Sequence, residues 1–309
     1  MTRAAPTLHA PAPAPPVPPA PGAVPAKLLG LTLLTALAPV AWGTTYLVTT
    51  ELLPPGRPLL AGTLRALPAG LALLALTRTL PRGDWWWRAA VLGTLNIGGF
   101  FALLFLAAYR LPGGVAATLG ALGPLIVAGL AFVILQERPT RWRLGWGVAG
   151  GLGVATMVLR GEVHLDAVGL GAGLAGTAVM AAGVVLTKRW VRPVGLLPFT
   201  GWQLTAGGLF LLPLSLLVEG APPAMDGSAV LGYGWLAIVG TLVAYVLWFQ
   251  GLDRLPVAPL SFLPLLSPAV ATGLGWLVLG QALTVAQTLG FALALTAIAA
   301  AQLDPTRRR

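Results

Sequence analysis

Arg65 is the residue with the most chemistry to offer its surroundings. It falls about a third of the way into an apolar run at 58–77, and an ionised side chain at that depth is costly unless it faces protein or water. Gly62, Ala66 and Gly70 recur every fourth residue beside it, so the guanidinium is expected to point inward. It would serve there as a cation for a carboxylate or electron-rich ligand group, form an internal salt bridge with Glu51 as the nearest partner, or snorkel to the outer interface. A second cluster, Trp42-Gly43-Thr44-Thr45-Tyr46, combines two aromatic rings with a glycine and two hydroxyls, which suits a flat or amphipathic small molecule lying against backbone. Asn96, Trp202, Gln203 and Tyr245 complete the candidate binding set, with the two amides favoured because buried amides need partners. Glu137, among Arg138, Arg141 and Arg143, reads as a loop salt bridge or gate contact, with Arg141 its partner.

These residues do not make an enzyme. His9 lies in the N-terminal tail and His164 in an outer loop, the serines lack a Gly-x-Ser-x-Gly context, and no pair of carboxylates or metal-spaced ligands lies within one face. The chain has no cysteine, which removes thiol chemistry and disulfides. No catalytic residue, metal or cofactor is expected.

The elements that position these side chains follow from composition. Of 309 residues, 57% are hydrophobic and only 9% charged, with a mean hydropathy of +0.84. An ordinary soluble domain is about 25% charged. The fold class is therefore all-α and membrane-embedded. A span needs about 20 apolar residues, and ten runs meet that need, at 28–49, 58–77, 89–108, 113–135, 144–160, 166–187, 196–218, 229–251, 257–280 and 284–302. Gly123-Pro124 should loosen the fourth, and Pro264 with Pro268 the ninth. Stripes at Gly147 and Gly151, and at Gly169, Gly173, Thr177 and Ala181, mark further packing faces.

One spacing organises the ten. Arg110-Leu111-Pro112 returns as Arg254-Leu255-Pro256, Pro124 as Pro268 and Thr140 as Thr284, each 144 residues on, while Glu137 meets Gln281. The chain reads as a duplication of a five-span unit, and an odd number of crossings per copy inverts the second. The resulting segments are a Pro/Ala-rich tail at 1–26 holding nine of the 28 prolines, repeats at 27–160 and 161–303, and a basic tail at 304–309. The formal charge of +10 does not point to nucleic acid, because the basic residues lie in short clusters between apolar runs. Fifteen Lys and Arg fall on one side of this arrangement and three on the other, which puts both termini in the cytoplasm. Trp85-Trp86-Trp87, Trp142 and Trp190 at the same ends read as headgroup anchors.

At these residues the chain resembles the EamA family of the drug/metabolite transporter superfamily. Ala41-Trp42-Gly43-Thr44-Thr45-Tyr46, Leu64-Arg65-Ala66 and the Pro-containing fourth helix of each half, ending in a Glu-x-x-Thr-like turn, carry the resemblance. Ala66-Leu67-Pro68-Ala69-Gly70, Leu95-Asn96-Ile97-Gly98-Gly99 and Gly201-Trp202-Gln203-Leu204 make it most similar to the PecM-type pigment and metabolite exporters. The resemblance implies efflux of small amphipathic metabolites, pigment-like, drug-like or amino-acid-like, across a bacterial inner membrane by alternating access. The partners are then a small-molecule substrate, the lipid bilayer and a second copy of the chain. A non-transporting scaffold or sensor is the alternative. Gln281, standing where the second copy would carry an acid, argues against any role for paired carboxylates at the repeat ends.

Overall fold

Proline, glycine and charge separate the apolar runs, and helices end in those gaps, while Pro39, Pro68 and Pro213 stand inside continuous helices. The computed structural model describes residues 26–110, 119–158, 166–280 and 283–303. The proline-rich tail, the C-terminal tail, Gln281 and the Leu111-Pro112 part of the first triplet lie outside those residues. Helix α1 is Ala26–Leu52 and α2 is Pro58–Thr77, with its proline in the first turn, where no amide donor is needed. Helix α3, Trp85–Gly93, passes through a π-helical turn, Thr94–Gly98, into α4, Gly99–Arg110. Then come α5, Gly123–Leu135, α6, Arg141–Val158, α7, Ala167–Arg189, and α8, Leu196–Glu219. Helix α9, Gly227–Ala237, runs through a second π turn, Ile238–Val243, into α10, Ala244–Arg254. The short α11, Val257–Leu260, a 3-10 turn at Leu263–Leu265, α12, Leu266–Leu279, and α13, Val285–Gln302, complete the order.

Among the described residues eight helical stretches are long and apolar enough to cross a membrane. The fourth expected span is seen as the 13 residues of α5, with 113–118 outside the described residues, and the fifth as α6. The expectation for the ninth span holds: around Pro264 it breaks into α11, a 3-10 turn and α12. The third span begins earlier than expected, and its tryptophan triplet does not act as one anchor. Successive helical residues point about 100° apart, so Trp85 turns inward and is 9% exposed, while Trp86 and Trp87 stay 58% and 50% exposed.

Lipid supplies no hydrophobic drive between helices, so small residues must let backbones approach. Helix α2 packs along α8 and α6 along α13; α4 lies on α7 as α1 does on α10; α5 lies on α7 as α1 does on α12. At the α2–α8 crossing the two backbones come close. A Cβ at Gly208 would stand 2.6 Å from Leu67 Cβ and 2.7 Å from Leu67 Cα and N, and one at Gly70 would strike the Thr205 backbone amide. Gly153 does the same for α6 against α13, where an added Cβ would meet Ala294 N at 2.8 Å. The outer faces carry leucines such as Leu33, Leu76 and Leu217, 61%, 73% and 82% exposed, as a lipid-facing belt requires.

Helix ends are satisfied across the bundle rather than locally. Both Glu219 carboxylate oxygens, at the end of α8, accept from the first amides of α2, Leu59 N at 2.5 Å and Leu60 N at 2.8 Å. An anion there also meets the positive end of the helix dipole. Glu219→Gln keeps the shape but loses the charge and one acceptor, and is expected to lower unfolding stability in detergent by about 1 kcal/mol. A thermal unfolding midpoint equal to that of the unmodified protein would show that the cap is idle. Asp166 caps α7, and the Val168 amide first and the Arg110 guanidinium second hold its carboxyl below the ordinary range.

Candidate binding site at two helical turns

Arg65 is the eighth residue of α2, on the face that the Gly62–Gly70 stripe presses into the bundle, and it is 5% exposed. Its Nε donates to Thr241 Oγ1 at 2.9 Å and its Nη2 to the Gly240 carbonyl at 2.7 Å, with the Phe101 ring centroid 5.0 Å from the guanidinium carbon. The Glu51 partnership is therefore not formed; Glu51 is exposed near the end of α1. Gly240 also accepts from Trp42 Nε1 at 3.1 Å. A π turn widens the hydrogen-bond register by one residue and loosens the carbonyl ladder, and side-chain donors from α1 and α2 meet here on one such carbonyl.

A matching arrangement surrounds the other π turn. Gln203 is the eighth residue of α8, is 0% exposed, and its Oε1 accepts from Asn96 Nδ2 at 2.8 Å. Asn96 lies in the Thr94–Gly98 turn and also donates to Thr187 Oγ1 at 3.0 Å. Gly183 is required opposite it, since an added Cβ would occupy the place of Asn96 Oδ1. The two π turns begin at Thr94 and Ile238, 144 residues apart, which is the spacing of the Arg-Leu-Pro triplets. Tyr245 joins the two centres: it lies beside Arg65, and its hydroxyl donates to the Asn96 carbonyl at 3.4 Å. Gln203 Nε2 and Thr45 Oγ1 are buried without a partner.

The aromatic wall differs from the expected one. Trp42 packs with Tyr245 and Trp248, each at 5.4 Å between ring centroids. Trp202, expected to stack on substrate beside Trp42, instead donates its Nε1 to the Thr79 carbonyl at 2.7 Å and packs on Trp85. It is a neighbour of Gln203 in sequence and so faces a different side of α8. The Tyr46 side chain lies outside the described residues. Thr44 donates to the Ala41 carbonyl and accepts from Trp235 Nε1 at 2.9 Å, tying α1 to α9.

Glu137 and Arg141 are both exposed, and no ion pair joins them among the described residues. Helix α5 ends at Leu135 and α6 begins at Arg141, so their four-residue separation crosses a turn instead of following one helix. The contacts at that end come from the last turn of α7 and the loop after it, which the sequence reading missed. Lys188 Nζ donates to the Leu252 and Leu255 carbonyls, each at 2.9 Å, Arg189 reaches the Ile134 carbonyl at 2.9 Å, and Arg192 pairs with Asp253 at 3.1 Å. Glu137 lies within electrostatic reach of Lys188. Thr241, Thr187 and Phe101 were also missed; the one sequence signal available was Gly240, 144 residues after Asn96.

The amide pair yields a double-mutant prediction. Asn96→Leu strands the Gln203 amide in a dry site and is expected to cost about 1–3 kcal/mol of stability, whereas Asn96→Leu with Gln203→Leu removes both partners and should cost less than the two single changes added. Additive losses in denaturation would mean that the two amides act independently.

The model of the EamA-like transporter family matches this chain at residues 29–159 and again at 167–301. Protein PecM of Dickeya dadantii (strain 3937) is 48% identical over 263 residues, which cover 84% of this chain and 88% of that protein. The uncharacterized inner membrane transporter YedA of Escherichia coli (strain K12) is 28% identical over 260 residues, covering 78% and 84%. One solved crystal structure, 22% identical, superimposes with a TM-score of 0.77 over 90% of this chain and 98% of its own, a likeness of fold alone.

Proposed function

The chain belongs to the EamA-like transporter family, and from that premise we propose that it exports small amphipathic metabolites, pigment-like, drug-like or amino-acid-like, from the cytoplasm across a bacterial inner membrane by alternating access. Its similarity to PecM over most of both chains makes it a PecM-type member. In this reading ten spans form two inverted five-helix repeats, 27–160 and 161–303, with both termini cytoplasmic. Three observations support the repeats: the family matches twice, the π turns recur at the triplet spacing, and the helix pairings return to themselves when each span is exchanged for the one five later.

The observation that carries the transport reading is the buried polar seam. Arg65, Asn96, Gln203 and Tyr245 are each 5% exposed or less, and they cluster at two loosened helical turns inside an otherwise apolar bundle. Polar groups in a membrane interior are expensive and are kept where a solute or ion passes, and broken helices at such places accompany transport sites. Closing contacts stand at both ends of the bundle: Glu219 and Arg57 around the start of α2, and Lys188, Arg189 and Arg192 around the ends of α5 and α10. The seam is occluded between them. Rocking one repeat against the other would open one set of contacts at a time.

Comparing the medium of cells with and without this protein, before and after a proton uncoupler, tests the reading. Small molecules that accumulate outside only when the protein is present are expected, and identical media would refute export. Sidedness has its own test, because the native chain carries no cysteine. Arg82→Cys should react only with reagent on the cytoplasmic face and Ala224→Cys only from outside; the reverse pattern would overturn the orientation.

A further inference from the structure

We infer that the substrate carries an anionic oxygen group of the carboxylate type, and that this group docks on Arg65 by replacing Thr241 and Gly240 as its hydrogen-bond partners. The inference rests on the export reading and narrows its substrate class. Charge is the first ground. The guanidinium is 5% exposed, and both of its hydrogen-bond acceptors are neutral. The seven carboxylates among the described residues are all placed elsewhere. Asp84, Asp166 and Asp253 pair with Arg88, Arg110 and Arg192; Glu219 and Asp226 cap helices; Glu51 and Glu137 are exposed. A buried cation without a counter-ion is costly, and an arriving anion removes that cost where a neutral solute cannot.

Geometry points the same way. Thr241 Oγ1 and the Gly240 carbonyl sit on the Nε–Nη2 edge of the guanidinium, at 2.9 and 2.7 Å, the edge whose parallel donors match the two oxygens of a carboxylate. Two separate protein oxygens thus stand where one oxyanion would. Exchange is also inexpensive for the protein: Gly240 keeps the Trp42 Nε1 donor when Arg65 leaves. Hydrogen-bond supply fits as well. Trp42 brings a donor to the same carbonyl, Thr45 Oγ1 on the same face of α1 lacks a partner, and so does Gln203 Nε2 at the linked centre. The rings of Trp42, Tyr245 and Trp248 provide the apolar wall for the remainder of an amphipathic acid. Docking pulls Arg65 off the Ile238–Val243 turn, so binding changes the hydrogen bonding of the helical break itself.

The test sorts the exported compounds by charge. Media of cells with and without the full-length protein are profiled, and each compound that depends on the protein is assigned its net charge at pH 7 and its acidic groups. The expected set consists of acids. Arg65→Gln should lower their accumulation about tenfold or more, since charge-assisted hydrogen bonds are lost, while Arg65→Lys, which keeps the charge but not the fork, retains a measurable part. A protein-dependent set whose compounds carry no acidic group overturns the inference and leaves export standing, whereas a zwitterion with a carboxylate counts as an acid. An empty set refutes export, and the inference falls with it. Because the charge of the wild-type set decides the matter, poor folding of a variant does not rescue the proposal. A Lys variant no better than Gln, at equal amounts in the membrane, also counts against it.

Discussion

Arg65→Ala is expected to slow efflux by about one to two orders of magnitude while the protein still reaches the membrane in normal amount. The expected size follows from hydrogen bonds to a charged group, worth about 1.5–3 kcal/mol each in net terms, with 1.4 kcal/mol equal to a factor of ten. Insertion should not suffer, because the change removes an ionised side chain from an apolar helix. Folding has little to lose either. Gly240 keeps its bond from Trp42, and Thr241 is the one group left without its donor. Initial efflux rates at matched protein levels measure the effect. Unchanged export by a well-expressed variant would remove Arg65 from the substrate path.

Gly208→Val should destabilise the bundle severely, more than either Glu219→Gln or Asn96→Leu. An added Cβ already meets the Cβ, Cα and N of Leu67 between 2.6 and 2.7 Å, so the obstacle is backbone, and no rotamer relieves it. Overpacking costs typically about 1–3 kcal/mol, and a β-branched side chain at this contact belongs at or above the upper end. The crossing it opens is the one that brings Arg65 and Gln203, each the eighth residue of its helix, to their π turns. Loss of the α2–α8 contact should therefore abolish export as well as lower the unfolding midpoint. Gly129→Val is the matched control, since a Cβ there would meet nothing within 4 Å. Equal midpoints for the two variants would show that helix proximity at Gly208 carries no stability.

Much of this arrangement was legible because membrane chains obey coarse rules. Apolar runs gave the helices, the small-residue stripe turned Arg65 inward, and Pro264 broke the ninth span. What stayed hidden depends on directions that composition does not encode. The π turns are a change in hydrogen-bond register, and no residue type requires one. Neighbours along a helix face apart, which is why Trp202 and Gln203 separate, why Trp85 leaves Trp86 and Trp87, and why Thr44 goes to Trp235 while Thr45 stays without a partner. Thr241 and Thr187 look in sequence like any threonine that bonds its own preceding turn; only the packing of α2 and the π turn against them gives them side-chain partners.

Alternating access requires a polar seam that opens to each side of the membrane in turn. Thr241, bonded to Arg65, is the position that reports it, and the absence of native cysteine makes a single Thr241→Cys free of background. A small membrane-impermeant thiol reagent is applied to right-side-out and to inverted vesicles, with Arg82→Cys and Ala224→Cys fixing the sidedness of each preparation. The expected result is that position 241 reacts from both faces. Reaction from one face alone, or from neither, would contradict alternating access through this site.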